Sequence, residues 1–263
     1  MLKYWLILLL IISNHSYAEP VRIASDIWCP YICENDTGYL VELTKRAFEI
    51  QGKKAVFATL PYNRALVELK RQNVDAVLAL TPGAIADNHL IHADVIVGYS
   101  SNDFYTASNN KTVFENLGNL NNTQQTAVVS GYDYGIELNA WLHAHPNTYY
   151  ASGDAPLAMN IIRLVKGRHD VIIDNKNVIE YTASQLNLSQ QLRYAGTIGE
   201  PVPLYVGFNQ LNKANAAIFA NGILLLKQSG EYQKIIDKYK IIPANNSHSI
   251  HYQRVKKFLP SVH

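Results

Sequence analysis

The chain has 263 residues, 17% of them charged and 48% hydrophobic, with a formal net charge of +2. These figures exclude a disordered, fibrous or disulfide-dense protein and leave room for one large domain or two small ones. The near-neutral balance gives no reason to expect a nucleic-acid partner. The longest apolar run, Trp5–Ile12, is too short to span a bilayer.

In chain order, the first 18 residues read as a secretory signal peptide. Lys3 supplies the positive start, Trp5–Ile12 the apolar stretch, and Ser16-Tyr17-Ala18 the small-x-small pattern before a cleavage point. The competing reading is an uncleaved anchor. Export to the periplasm is therefore expected. Val21–Ser25 reads as a short strand. The two cysteines, Cys29 and Cys33, follow as C-P-Y-I-C. In an oxidising compartment two close cysteines pair, which predicts a structural disulfide around Pro30 and Tyr31. A redox motif would more typically be C-x-x-C, and a zinc site would need two further ligands nearby.

Gly38–Gln51 has helical spacing through Leu40, Leu43, Ala47 and Phe48, and Gly52 ends it. Ala55–Thr59 reads as a strand. Tyr62–Arg71 reads as a helix with Ala65, Leu66 and Leu69 on one face, and Asp75–Leu80 as another strand. This βαβαβ order implies a parallel or mixed sheet covered by helices. The polar stretch 109–125 reads as a loop or boundary. A second series follows: a strand over Thr126–Val129, a helix over Ile136–His143, and a helix over Ala155–Lys166 that Asp154 could cap. Val171–Ile173 reads as a strand and Asn177–Leu186 as a helix. The stretch 199–203 is a further loop. Leu204–Phe208 reads as a strand, followed by closing helices over Ala214–Lys227 and Glu231–Tyr239. The tail after Pro243 is polar, with a short helix conceivable over His251–Leu259.

Two α/β units are thus expected, divided as residues 19–106 plus 204–263 and residues 107–203. If the last segment returns to the first unit, two chain crossings join the halves around a hinged cleft.

Six segments in this order resemble the family 3 solute-binding proteins, the periplasmic polar amino-acid receptors of ABC importers. Val21–Tyr31 is similar to their opening strand and Pro-aromatic loop. Gly38-Tyr39-Leu40-Val41-Glu42-Leu43 resembles their first helix start. Pro61-Tyr62-Asn63-Arg64-Ala65-Leu66 with Val74-Asp75-Ala76 resembles "W-x-R-x-φ … G-x-x-D-A". Val129-Ser130-Gly131 is similar to the family's "v-x-x-G" turn, Gly167-Arg168-His169-Asp170-Val171 to "G-R-φ-D-A", and Ser229–Tyr239 to the terminal "G-x-φ-x-x-I-φ-x-K-φ". The resemblance implies an α/β, two-lobed type II periplasmic-binding-protein fold, each lobe a mixed sheet flanked by helices. It implies a monomeric receptor that takes a small polar ligand between its lobes and hands it to an inner-membrane ABC permease, or to a sensor receptor. No cofactor is expected, and the near histidine pairs His143 with His145 and His248 with His251 lack the third ligand a metal site needs. Two departures stand out. The family's loop after the third strand carries a carboxylate-clamping Arg, whereas here it reads Thr81-Pro82-Gly83-Ala84-Ile85-Ala86-Asp87-Asn88. The family's Asp for the ligand amino group is replaced by Asn175, with Asp174 one place early.

Ligand crevices in open α/β sheets lie off the carboxyl ends of the strands. Arg64 at a helix start is the expected anion partner, since a guanidinium grips a carboxylate with two parallel bonds. The alternative is an Arg paired to a surface acid such as Glu68. Ser130-Gly131-Tyr132-Asp133 precedes a helix whose free N–H groups would attract an anion, or forms an ordinary Gly turn with an Asp cap. Asp174 would pair with a ligand ammonium or cap the next helix, and Asn175 could serve either role. Thr81 opens the departing loop. Trp28, Tyr31, Tyr62, Phe104, Tyr132 and Tyr205 are candidate aromatic walls, and seventeen Tyr against seven Phe suit polar-tipped ones.

The chain lacks a nucleophile elbow, a Walker loop and a dinucleotide fingerprint. An enzyme on the same scaffold, of the cyclohexadienyl dehydratase type, would need a cleft acid such as Asp174 or Glu200. The expectation is a binding protein and not an enzyme.

Overall fold

The computed structural model describes residues 19–239. The expected signal peptide and the expected tail helix lie outside the described residues. The opening series forms β1 (Val21–Ser25), α1 (Tyr39–Glu49), β2 (Ala55–Thr59), α2 (Tyr62–Lys70) and β3 (Ala76–Leu80). Three short elements follow: α3 (Pro82–Asp87), β4 (Ile91–His92) and β5 (Gly98–Ser100). Next come β6 (Asp103–Ala107), β7 (Thr126–Val129), α4 (Ile136–Ala144), β8 (Thr148–Ala151) and α5 (Pro156–Val165). The chain continues through β9 (Val171–Asp174), α6 (Lys176–Gln185) and β10 (Leu192–Thr197). It closes with β11 (Val202–Phe208), α7 (Lys213–Ser229) and α8 (Glu231–Tyr239).

Two mixed sheets result. The first has the order β2-β1-β3-β11-β4, with β5 also pairing β11. Its β1 runs parallel to β2 and β3, while β11 returns antiparallel beside β3. The second has the order β10-β6-β9-β7-β8, with β7 parallel to β8 and β9, and β6 antiparallel to β9 and β10. The chain crosses between the sheets twice, at residues 101–102 and 198–201.

The first crossing precedes β6 and does not follow residue 106, which corrects the expected boundary. Asp103, Phe104, Tyr105 and Thr106 are all buried, so β6 shows none of the in-out alternation that reveals a half-buried strand. Asp154 does not cap α5 either. Ala155 stands at that position, with no side-chain capping bond.

The closing helices pack back on the first sheet. Leu40, Leu43, Ala47 and Phe48 of α1 belong to one buried cluster with Phe219, Ile223 and Leu226 of α7. Burying each large apolar side chain contributes roughly 1.5–3 kcal/mol. Gly222 allows the close approach, because a Cβ there would meet the Ala47 carbonyl oxygen at 1.9 Å. Glu231 and Lys238 of α8 reach Arg46 and Glu42 of α1. On the sheet's other face, Ala65, Leu66 and Leu69 of α2 pack with Val77 and Leu80. The carboxyl ends of β1, β3, β7 and β9 converge at the junction of the two units, and the residues that line the cavity gather there.

Candidate functional site

Cys29 and Cys33 are disulfide-bonded, as their spacing led us to expect. Trp28 directly precedes the closed loop, and its backbone N–H donates to the Ile32 carbonyl at 2.8 Å. The Trp28 ring stacks on Tyr31 at 4.6 Å between centroids. The bridge therefore fixes an aromatic pair just beyond the end of β1.

Across the junction the side chains bond directly. Trp28 Nε1 donates to Asp174 Oδ1 at 3.0 Å. The Tyr132 hydroxyl donates to Asp26 Oδ2. Thr81 Oγ1 donates to Asp133 Oδ2 at 2.5 Å. Asn63 Nδ2 donates to the Ser130 carbonyl at 3.3 Å, and Asn177 Nδ2 donates to the Tyr31 hydroxyl at 2.9 Å. Each of these five bonds joins a residue of the first unit to one of the second.

Between them lies a cavity of about 50 Å³. Trp28, Tyr62, Tyr132 and Tyr134 form its aromatic wall, and Asp26, Asp133 and Asp174 its charged one. Thr81, Asn175 and the crossing residues Ser100, Ser101 and Asn102 complete the polar lining. Ala79 and Leu204 add apolar floor, and Ala79 holds a left-handed φ of 58° inside β3. A larger pocket of about 240 Å³ adjoins it, sharing Tyr132, Asp133 and Tyr134 and adding Asp87, Gly131, His143 and Tyr150.

The three carboxylates differ in how they are satisfied. Asp133 is bonded on both oxygens: Oδ1 accepts from Gly135 N at 2.9 Å and Asn139 Nδ2 at 2.7 Å, and Oδ2 from Thr81. Asp26 has the Tyr132 hydroxyl and a long contact from Ser25. Asp174 accepts on Oδ1 from Trp28 and from its neighbour's backbone N–H, while its buried Oδ2 has no partner among the described residues. Burial pushes the Asp174 carboxyl up to about 7, and the negative neighbours Asp26 and Asp103 add to the rise that the Trp28 bond opposes. Burial likewise pushes Asp26 up to about 6, against the Tyr132 hydrogen bond. The same burial raises the Tyr62, Tyr132 and Tyr134 hydroxyls, which all stay protonated near neutral pH.

Of the residues expected at the site, Trp28, Tyr62, Thr81, Tyr132, Asp174 and Asn175 line the cavity. Gly131 lines the adjoining pocket, with a φ of 85° that suits glycine. Ser130 contributes its carbonyl to the Asn63 bond. Tyr31 lies behind Trp28, one layer back.

Three more of the expected residues line neither the cavity nor the adjoining pocket. Phe104 is fully buried in β6 and stacks on Phe114 at 5.0 Å, inside the second unit's core. Tyr205 is buried in the core of the first unit beside His92, and its neighbour Leu204 reaches the cavity instead. Arg64 is exposed and lines neither cavity nor pocket. The buried face of α2 runs through Tyr62, Ala65, Leu66 and Leu69, so residues 64 and 67 turn to solvent. Nor does Arg64 pair with Glu68, which faces Arg71 and Asn73. Ahead of α4 the Asp133 carboxylate accepts the Gly135 N–H, which places a negative charge where an anion was expected. Asn175 is the N-cap of α6, accepting from Asn177 N at 3.0 Å.

Sequence reading missed Asp26, Tyr134, the Ser100–Asn102 crossing and the cavity role of Asp133. Asp26 was within reach, being the residue directly after β1, where the strand-end rule points.

No family model and no curated protein matches the sequence. Solved structures do. The chain is similar to a histidine kinase sensor domain resembling periplasmic binding proteins, with TM-score 0.74, 17% identity and coverage of 85% of this chain and 96% of that one. It is similar to an ancestral arginine-binding protein bound to glutamine, with TM-score 0.71, 16% identity and coverage of 84% and 97%. It is also similar to the arginine-, lysine-, histidine-binding protein ArtJ of Geobacillus stearothermophilus, with TM-score 0.68, 13% identity and coverage of 88% and 99%. The chain thus has the two-sheet α/β fold of the periplasmic binding proteins, as the order of its sequence segments led us to expect.

Proposed function

We propose that the protein is an exported solute-binding receptor that captures a small polar molecule between its two units and presents it to an inner-membrane ABC permease. The observation that carries this reading is the lined cavity at the junction, with hydrogen bonds crossing it from both sides. Contacts to both units favour the arrangement in which the cleft is shut, so a ligand shifts the population toward it. The units act as lobes that move about the crossings at residues 101–102 and 198–201. Micromolar capture corresponds to about −8 kcal/mol. Two charged bonds of roughly 1.5–3 kcal/mol each and an aromatic wall supply much of that before the costs of association.

Tryptophan fluorescence against a solute panel, joined to small-angle scattering, tests the reading. A ligand should quench or enhance Trp28 emission and reduce the radius of gyration. A protein that binds nothing small and never changes compactness would sink it.

A second reading keeps the cleft and changes what it reports to. The likeness to a sensor domain favours it. A gene neighbouring a sensor kinase, with solute uptake unchanged when the protein is deleted, would decide for signalling. The proteins named above bind ligands or sense them, which supports binding without turnover. Formation of product from prephenate or arogenate would instead support the dehydratase alternative.

A further inference from the structure

The charges around the cavity carry one sign. Asp26, Asp133 and Asp174 line it, and Asp103 lies one layer behind. No Lys, Arg or His stands among the lining residues. The cations nearby are committed elsewhere: Lys176 Nζ lies 3.8 Å from Glu180 and 5.0 Å from the centre of the Tyr194 ring, and Arg64 faces solvent. Backbone N–H groups beside the cavity bond the protein's own side chains. Asp133 accepts the Gly135 N–H just before α4, and Thr81 Oγ1 accepts the Ala84 N–H at the start of α3. Ser101 donates to Asp103 and Asn102 to the Tyr134 carbonyl. A ligand carboxylate would therefore meet buried carboxylates and no compensating cation.

The geometry also supplies an acceptor. Asp174 is 4% exposed, lines the cavity, and has its Oδ2 without a hydrogen-bond partner among the described residues. A buried, unpaired carboxylate oxygen is costly until a donor reaches it. The rings of Trp28, Tyr62 and Tyr132 provide negative faces that attract an organic cation. A hard metal ion would want six or more oxygen ligands, which this aromatic wall does not offer.

We propose that the cleft selects a small organic cation without a carboxylate, an amine or guanidine, over the corresponding α-amino acid. This rests on the solute-binding reading and narrows it. Asp174 Oδ2 takes the N–H of the ammonium or guanidinium, and Asp26 supplies the second negative charge. The groups facing these two carboxylates are Asp103 and Asp133 and the hydroxyls of Tyr62, Tyr132 and Tyr134, with His143 in the adjoining pocket against the Asn139 carbonyl. Bound cations favour the ionised carboxylates, so binding releases protons and tightens as pH rises through about 6 to 7.

Isothermal titration of the purified protein with matched pairs tests this: agmatine against L-arginine, histamine against L-histidine, and 1,5-diaminopentane against L-lysine, with L-glutamate as the anion. The expected result is that at least one amine binds about tenfold or more tightly than its amino-acid parent, a difference of one charged contact. Asp174→Asn, which keeps the shape and the acceptor for Trp28, should weaken that amine by about tenfold or more. Asp26→Asn should weaken it too, giving a second readout if the first variant folds poorly. An amino acid binding as well as its amine, or a neutral or anionic panel solute binding where all amines fail, overturns the inference and leaves the receptor reading standing. Unchanged amine affinity in both variants also overturns it. Failure of every solute, with no compaction, overturns both.

Discussion

Carboxylates on the outer face of the first unit and carboxylates in the cleft meet opposite fates. On the outer face three of them each have a cation. Asp75 is bonded by Arg22 at 2.9 Å, Glu231 by Arg46 at 2.6 Å, and Glu42 by Lys238 at 2.5 Å. Arg46 holds Glu231 below the usual carboxylate range, and the Arg22 and Lys238 bonds outweigh partial burial to do the same for Asp75 and Glu42. In the cleft, Asp26 and Asp174 have hydroxyl, indole and amide donors but no cation, and burial pushes both up. The contrast separates structural charge from functional charge. A surface pair is complete within the chain, whereas the cleft pair lacks a counter-charge among the described residues.

The largest expected effect of removing one donor falls on Trp28. Trp28→Phe keeps a ring to stack on Tyr31 and deletes the N–H that reaches Asp174. The carboxyl should rise further and hold its proton at neutral pH. Amine affinity at pH 7 should drop by about tenfold, the weight of one hydrogen bond to a charged group. Titration at pH 8.5 should recover part of the loss, because the carboxylate is then ionised in both proteins. A variant that binds as tightly as the parent across this range would show that the indole does not set the charge state.

The pH dependence of ligand-free stability should expose both classes in one curve. Asp26 and Asp174 have raised folded values, so their contribution is fully present below the unfolded carboxylate pKa and is lost as pH rises through about 6 and about 7. Asp75, Glu42 and Glu231 have lowered values, so theirs is present above the unfolded pKa and is lost as pH falls through their folded ones. Thermal unfolding should peak between these limits. The alkaline decline should reach on the order of a few kcal/mol at most, since one unit is about 1.4 kcal/mol. Asp174→Asn should flatten that limb and leave the acid limb unchanged. A curve that stays level between about pH 4 and pH 7 in the parent would contradict the assigned burial.

How much of this was legible follows from the type of signal. β1, β2, β7 and α8 carry the bounds read from the sequence, because each is bracketed by turn residues or shows clear periodicity. β6 and β8 were invisible for opposite reasons. β6 is buried on both faces, and β8 is an edge strand whose Tyr149 and Tyr150 stand exposed, so neither alternates. The same physics divides the site. Trp28, Thr81, Tyr132 and Asp174 sit at or just past strand ends and were found by the strand-end rule. Phe104 and Tyr205 lie inside their strands, so the rule did not cover them and the core claims them. That Asp174 lacks a cation is a fact of pairing across residues far apart in sequence, which no local pattern encodes.

A smaller effect is expected at the outer face. Glu231→Gln removes the Arg46 ion pair between α8 and α1. Both side chains are about a third exposed, so the loss should be about 0.2–1 kcal/mol, a shift of a few degrees in Tm at most. Ligand affinity should not change. An affinity loss here would mean that α8 communicates with the cleft.

The smallest effect, and the one with a diagnostic sign, belongs to Arg64. By sequence it is the expected anion partner, and its removal would then cost about tenfold in affinity. By structure it projects from α2 into solvent beside Asn63, outside the cavity and the adjoining pocket. An exposed charge near a binding site acts mainly through long-range, salt-screened attraction or repulsion. Arg64→Ala should therefore shift affinity by less than about twofold. For a cationic ligand the shift should be toward tighter binding and should vanish at high salt, because a repelling positive charge has been removed. A tenfold loss that persists at high salt would require Arg64 to swing into the closed cleft and hold an anion there. It would move the protein's binding logic from the carboxylates of β1 and β9 to the guanidinium of α2.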